Sequence, residues 1–127
     1  MKTVFLIDDS EPDNFLHSYL IEKTGKFGKV TSVLNVEQAL DQLKEMATKN
    51  ESMPDIIILD INMPRMNGWE FLDVAKTTTE FDISNSDIYM LSTSLDPDDK
   101  IKAMEEYGLK GFFRKPLTLD QISLLEN

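Results

Sequence analysis

Five short apolar runs, each followed by a stretch with helical spacing, constrain this chain more than any other feature. Thr3–Ile7 (TVFLI), Asp55–Leu59 (DIIIL) and Ile88–Leu91 (IYML) lack the apolar–polar alternation of a half-exposed strand, and Lys29–Leu34 and Gly111–Phe113 are weaker runs of the same kind. A strand that is apolar throughout is covered on both faces. Five of them alternating with helices predict a parallel sheet between two helical layers, joined by right-handed crossovers. The first helix starts at an N-cap, Ser10, with Pro12 in its first turn. Phe15, Leu16, Tyr19 and Leu20 recur along it at helical spacing, which predicts its inner face, and Gly25 is placed to end it. Val36, Leu40, Leu43 and Met46–Ala47 outline a second helix, and Trp69, Leu72 and Ala75 a third that fades in Thr77–Thr79. Pro97 opens a fourth, which carries Ile101, Met104 and Tyr107 and closes at Gly108. Leu119–Leu125 form the last. At 127 residues the chain has the size of one domain, residues 1–127.

Composition narrows the chemistry. There is no cysteine, which excludes a disulfide framework, a thiolate zinc site and cysteine catalysis. A single histidine, His17, excludes a multi-histidine metal site. Two positions from Phe15 on the first helix, it reads as a solvated helix residue. The formal net charge of -10 opposes direct binding to nucleic acid, which attracts basic surfaces. No apolar run approaches the roughly 20 residues needed to span a bilayer. The start, MKTVFLIDDS, runs into acidic residues rather than a cleavage site. The expectation is a cytoplasmic protein with no membrane partner.

The ends of the apolar runs carry the chemistry. The first strand ends in Asp8-Asp9, the third in Asp60, the fourth in Ser92-Thr93, and the fifth leads to Lys115. In an open parallel sheet, ligands bind beyond the carboxyl ends of the strands, so these residues converge on one edge. Three crowded carboxylates repel one another, and a divalent cation removes the repulsion. Oxygen-only ligands select Mg²⁺, Mn²⁺ or Ca²⁺. Lys115 and the Ser92 hydroxyl suit phosphoryl oxygens and are not needed to hold a metal. The set reads as a phosphoryl-transfer site, in which metal and ammonium neutralise the phosphoryl group and a carboxylate attacks it. Each residue alone has an ordinary reading: an acidic pair caps a helix, a lysine lies on the surface, a serine ends a strand.

The acidic pair in LIDDS, the aspartate in IIILDINMPRMNG, the hydroxyl in YMLSTS and the lysine-proline in FFRKPL, in this order, resemble the receiver domain of two-component response regulators. The likeness covers the whole chain. It implies a doubly wound, flavodoxin-like (βα)5 fold with strand order 2-1-3-4-5. It implies that Asp60 accepts a phosphoryl group from a phosphohistidine on a sensor histidine kinase or histidine phosphotransfer protein. It makes Mg²⁺ the cofactor, with Mn²⁺ as a substitute. Asp9 would bind the ion directly, Asp8 mainly through water, and Asn62 through its backbone carbonyl, while the Asn62 side chain tunes hydrolysis. Ser92 would hydrogen-bond the phosphoryl group, Lys115 would pair with it, and Lys115–Pro116 would be cis. Phe112 would be the switch aromatic, turning inward as Ser92 moves and changing the surface of the fourth helix, fifth strand and fifth helix for a protein partner. Met63-Pro64 and Gly68 match the loop after the phosphorylation site.

The departures from the family pattern are Ser92 for the commoner threonine, Thr93 for a smaller residue that would leave Phe112 freer, and Phe112 for tyrosine. With Asn127 as its end, the chain is expected to have no DNA-binding output domain. The expectation is a stand-alone receiver, not an enzyme, monomeric or dimerising on phosphorylation. The competing reading is a small Mg²⁺-dependent phosphatase with an aspartate nucleophile. Such enzymes typically carry a second aspartate where this chain has Asn62, and no cap domain fits.

Overall fold

All residues of β1 (Val4–Ile7) and β3 (Ile56–Asp60) are buried, and so are the last four of β4 (Asp87–Ser92). This is the pattern of strands covered on both faces. A computed structural model of the chain describes residues 1–94 and 96–126; the expected chain end at Asn127 lies outside them. β2 (Val30–Val33) and β5 (Gly111–Arg114) flank the other strands, giving one parallel sheet in the order 2-1-3-4-5. The register pairs Leu6 with Ile58, Ile58 with Tyr89, and Tyr89 with Gly111.

Alternate side chains along each strand enter opposite layers. Phe5, Ile7, Ile57, Leu59, Met90 and Phe112 pack on one side with α2 (Val36–Thr48) and α3 (Gly68–Thr77). Leu6, Ile58, Tyr89 and Leu91 pack on the other side with Ile21 of α1 (Glu11–Lys23) and Ile122 of α5 (Leu119–Leu124). Phe113 stacks on Tyr89 at 5.6 Å, so the neighbouring phenylalanines Phe112 and Phe113 serve opposite layers. Gly25 and Gly108 follow the first and fourth helical segments with φ of +69° and +63°.

Two expectations about helix faces are corrected. On α1, Phe15 is 75% exposed, and Leu16 and Tyr19 are also exposed. The inward residues are Asn14, His17 and Ile21. The reason is backbone satisfaction. Strand ends leave carbonyl and amide groups that need partners when buried. Asn14 Nδ2 donates to the carbonyls of Asp8 (2.9 Å) and Val33 (3.1 Å). His17 Nε2 accepts the Leu117 N–H at 3.2 Å, so His17 is a buried acceptor and not a solvated residue. The fourth helical segment also differs. It is α-helical only over α4 (Pro97–Ile101) and continues as a π-helical turn, Lys102–Glu106. That wider turn brings Ala103 into the core and leaves Ile101 and Met104 exposed.

Candidate functional site

The carboxyl edge of the sheet gathers residues that are far apart in sequence. Asp8 and Asp9 follow β1, Asp60 is the last residue of β3, Ser92 the last of β4, and Lys115 follows β5. Backbone bonds continue the ladder past the strands and hold the ends in register. Asp8 N–H donates to Val33 O at 3.2 Å, Ile61 N–H to Leu91 O at 3.1 Å, and Lys115 N–H to Ser92 O at 2.8 Å.

Each flanking loop is tied down locally. Asp8 Oδ1 accepts the Ser10 N–H at 2.9 Å, and Ser10 Oγ caps α1 by accepting the Asp13 N–H at 3.2 Å. After Asp60, Gly68 N–H donates to Ile61 O at 2.9 Å. A Cβ at position 68 would lie 2.7 Å from the Asp60 carbonyl oxygen, so only glycine lets α3 start this close to the strand. Asn67 and Glu70 form a reciprocal capping box at that start. After Lys115 the peptide bond to Pro116 is cis, and Thr118 and Gln121 form a second capping box on α5.

Asp8, Asp9 and Asp60 each offer a carboxylate oxygen within 4.8 Å of the others. Asp8 and Asp60 are buried and Asp9 is exposed. Lys115 Nζ lies 2.7 Å from Asp8 Oδ2, 3.1 Å from Asp13 Oδ2 and 3.5 Å from Asp60 Oδ2, with its side chain 11% exposed. Burial is the largest cause that pushes the Asp60 carboxyl up to about 7; repulsion from Asp8 and Asp9 adds to it, and Lys115 opposes it. Burial pulls Lys115 down, but its contact with Asp8, the charges of Asp8 and Asp60 and its contact with Asp13 outweigh that and raise it. One ammonium therefore does not neutralise the cluster. All-oxygen donors with surplus negative charge fit a hard divalent cation of the Mg²⁺ kind.

The sequence-predicted residues fall unequally around this cluster. Asp8, Asp9, Asp60 and Lys115 converge. Ser92 is buried at the same edge, where its Oγ accepts the Ser94 N–H at 3.1 Å. Asn62 is exposed in the loop after Asp60. Phe112 is buried among the α2 and α3 layer. Three residues of α1 were not anticipated: Asp13 on Lys115, Asn14 on two strand-end carbonyls, and His17 on the amide that follows Pro116. The one signal in the sequence is their spacing, which puts all three on one side of a helix that begins beside Asp8-Asp9.

The response regulator receiver domain family model matches residues 4–125. A two-component response regulator from Cytophaga hutchinsonii is similar in structure, with TM-score 0.89 and 36% identity over 97% of this chain and 92% of that one. The Vibrio cholerae chemotaxis protein CheY4 gives TM-score 0.78 and 25% identity, covering 98% of this chain and 94% of that one. The sensory/regulatory protein RpfC of Xanthomonas campestris pv. campestris is 30% identical over 114 residues, 90% of this chain and 14% of that protein. This chain thus spans about a seventh of RpfC.

Proposed function

The chain belongs to the response regulator receiver family, a signalling domain of two-component systems, and from that premise we propose that it is a phosphorylation-controlled binding switch with Asp60 as phosphoacceptor. The observation that carries the reading is the meeting of Asp60 with Asp8, Asp9 and Lys115 at the carboxyl edge of the sheet. Receiver domains take their phosphoryl group from histidine kinases or phosphotransfer proteins, and the donor for this chain is such a partner.

An Asp60 carboxylate oxygen forms a P–O bond while the P–N bond to the partner's imidazole breaks. The imidazole takes a proton from solvent in place of the phosphoryl group. Asp8, Asp9, Asp60 and the Asn62 backbone carbonyl would hold Mg²⁺, with Mn²⁺ able to replace it. Bound there, the cation supplies positive charge opposite the phosphoryl oxygens. Lys115 pairs with the transferred group, and its raised pKa keeps it charged throughout the physiological range. Ser92 Oγ, now accepting from Ser94, turns its hydroxyl proton to a phosphoryl oxygen. Phe112 shifts with it, and the surface of α4, β5 and α5 changes for a downstream protein partner. The Asn62 side chain, exposed beside the phosphoryl group, tunes its hydrolysis. No helix among the described residues is long and apolar enough to cross a membrane, and the switch works in the cytoplasm, where kinases are supplied with ATP.

Incubation with phosphoramidate or acetyl phosphate and Mg²⁺, followed by intact-mass measurement, tests the reading. One added phosphoryl group is expected, and Asp60→Asn should abolish it. Labelling that survives this substitution refutes the assignment. Sustained turnover of a general phosphatase substrate would replace the switch with a phosphatase.

A further inference from the structure

Lys115 has three carboxylate neighbours, and the nearest are not the proposed phosphoacceptor. Asp8 Oδ2 is at 2.7 Å, Asp13 Oδ2 at 3.1 Å and Asp60 Oδ2 at 3.5 Å. Asp13 belongs to α1, not to a strand end, and it lies outside the carboxylate cluster that could share a cation. Its position is fixed on both sides. Ser10 caps its backbone N–H, and one helical turn further His17 accepts the Leu117 N–H. Helix α1 therefore grips the chain around Lys115–Pro116 twice, at the Lys115 ammonium through Asp13 and at the Leu117 amide through His17.

We propose that Asp13 is a positioning residue that latches Lys115 to α1 in the resting state and gives it up when a phosphoryl group occupies Asp60. The inference rests on the phosphoacceptor reading above. An ammonium has three N–H donors. Asp8 is the closest partner and stays. A phosphoryl group on Asp60 brings new anionic oxygens to the side where Lys115 now has its longest contact. To meet them the ammonium swings away from α1. The Asp13 side chain is 38% exposed, so water solvates the carboxylate once it is released. The latch thus opposes the phosphorylated arrangement, and removing it favours that arrangement.

The test uses beryllofluoride with Mg²⁺ as the phosphoryl probe, followed by ¹⁹F NMR titration of the full chain. Asp13→Asn should bind beryllofluoride more tightly, on the order of two- to fivefold, the scale of one partly exposed ion pair. Asp13→Glu keeps a carboxylate within reach of Lys115 and should return toward the wild-type affinity. Glu11→Gln removes the same charge from an exposed position of the same helical turn and should leave the affinity unchanged. A merely structural role for Asp13 would lower the melting temperature of Asp13→Asn without tightening the probe. Unchanged or weaker binding by Asp13→Asn, or equal effects of Asp13→Asn and Glu11→Gln, overturns the latch while leaving the phosphoacceptor reading intact. A wild-type protein that takes neither beryllofluoride nor a phosphoryl group overturns both.

Discussion

Replacing Asp60 with asparagine should make the cation-free protein more stable at pH 8, although it removes the proposed phosphoacceptor. Asp60 is 3% exposed, and burial together with Asp8 and Asp9 raises its carboxyl from 3.8 to about 7. The sign follows from linkage. A carboxyl raised in the folded state binds more protons folded than unfolded, so its contribution to stability is full below pH 3.8 and is lost as pH rises through about 7. Moving a carboxyl that far corresponds to roughly 4 kcal/mol, which is a ceiling for the gain. The value of about 7 already includes the opposing effect of Lys115, but an asparagine amide that turns its NH2 donor toward the ammonium fits the site less well than a protonated carboxyl, which brings the expected gain at pH 8 to about 1–3 kcal/mol. Down to pH 5 wild-type Asp60 takes up a proton in the folded state while the unfolded carboxyl stays ionised, which recovers most of the lost contribution, so the difference should shrink steadily from pH 8 to pH 5. Urea unfolding of both proteins in chelator at pH 5, 6, 7 and 8 measures it. Adding Mg²⁺ should close or reverse the gap, because a cation at about 100 times its Kd adds about 2.7 kcal/mol to the protein that binds it. A variant less stable than wild type at pH 8 without cation, or a difference that ignores pH, refutes the reasoning.

Three further perturbations separate the roles of neighbouring residues. Asp9→Ala should leave the chelator-treated protein no less stable, since an exposed, mutually repelling carboxylate is removed, and should lose the rise in melting temperature that Mg²⁺ gives wild type; a large cation-free loss would make Asp9 structural. Burial holds His17 below its ordinary 6.5, so its contribution is present above pH 6.5 and fades as pH falls toward the lower folded value. His17→Gln keeps an acceptor and should flatten that dependence relative to wild type between pH 5 and 7.5, whereas His17→Leu leaves the Leu117 N–H unpaired and should cost about 1–3 kcal/mol at pH 7.5 in urea unfolding, less as pH falls. Parallel pH profiles for wild type and His17→Gln would argue against the buried acceptor. Gly68→Ala should cost about 1–3 kcal/mol by forcing a Cβ against the Asp60 carbonyl, and acetyl phosphate labelling should slow with it; a neutral substitution would mean the loop yields freely.

The sheet was legible because burial on both faces leaves its mark on every residue of a strand. Ile56–Leu59 can be nothing but inside, and the polar residue that follows must sit at the edge. The site was legible for the same reason: parallel strands bring their carboxyl ends together whatever the loops do, and Asp8, Asp60 and Lys115 follow from the strands that carry them. Helix α1 was not legible in this way. Two of its three inward residues, Asn14 and His17, answer carbonyls and an amide of other segments, so the inner face is polar near the site, only Ile21 of the three is apolar, and Phe15 and Tyr19 stay outside. No periodicity within α1 records where Val33 O or Leu117 N–H will be.

The sequence alone determined a doubly wound parallel sheet and the carboxylate, hydroxyl and ammonium side chains at its edge, because apolar continuity and strand polarity are local properties. Only the tertiary structure decided that Lys115 meets Asp8 first among its three carboxylate neighbours, and that Asp13 of α1 lies closer to it than Asp60 of β3. That outcome depends on differences in distance of a few tenths of an ångström, and the Asp13 contact joins groups about a hundred positions apart, set by how one helix docks on a loop.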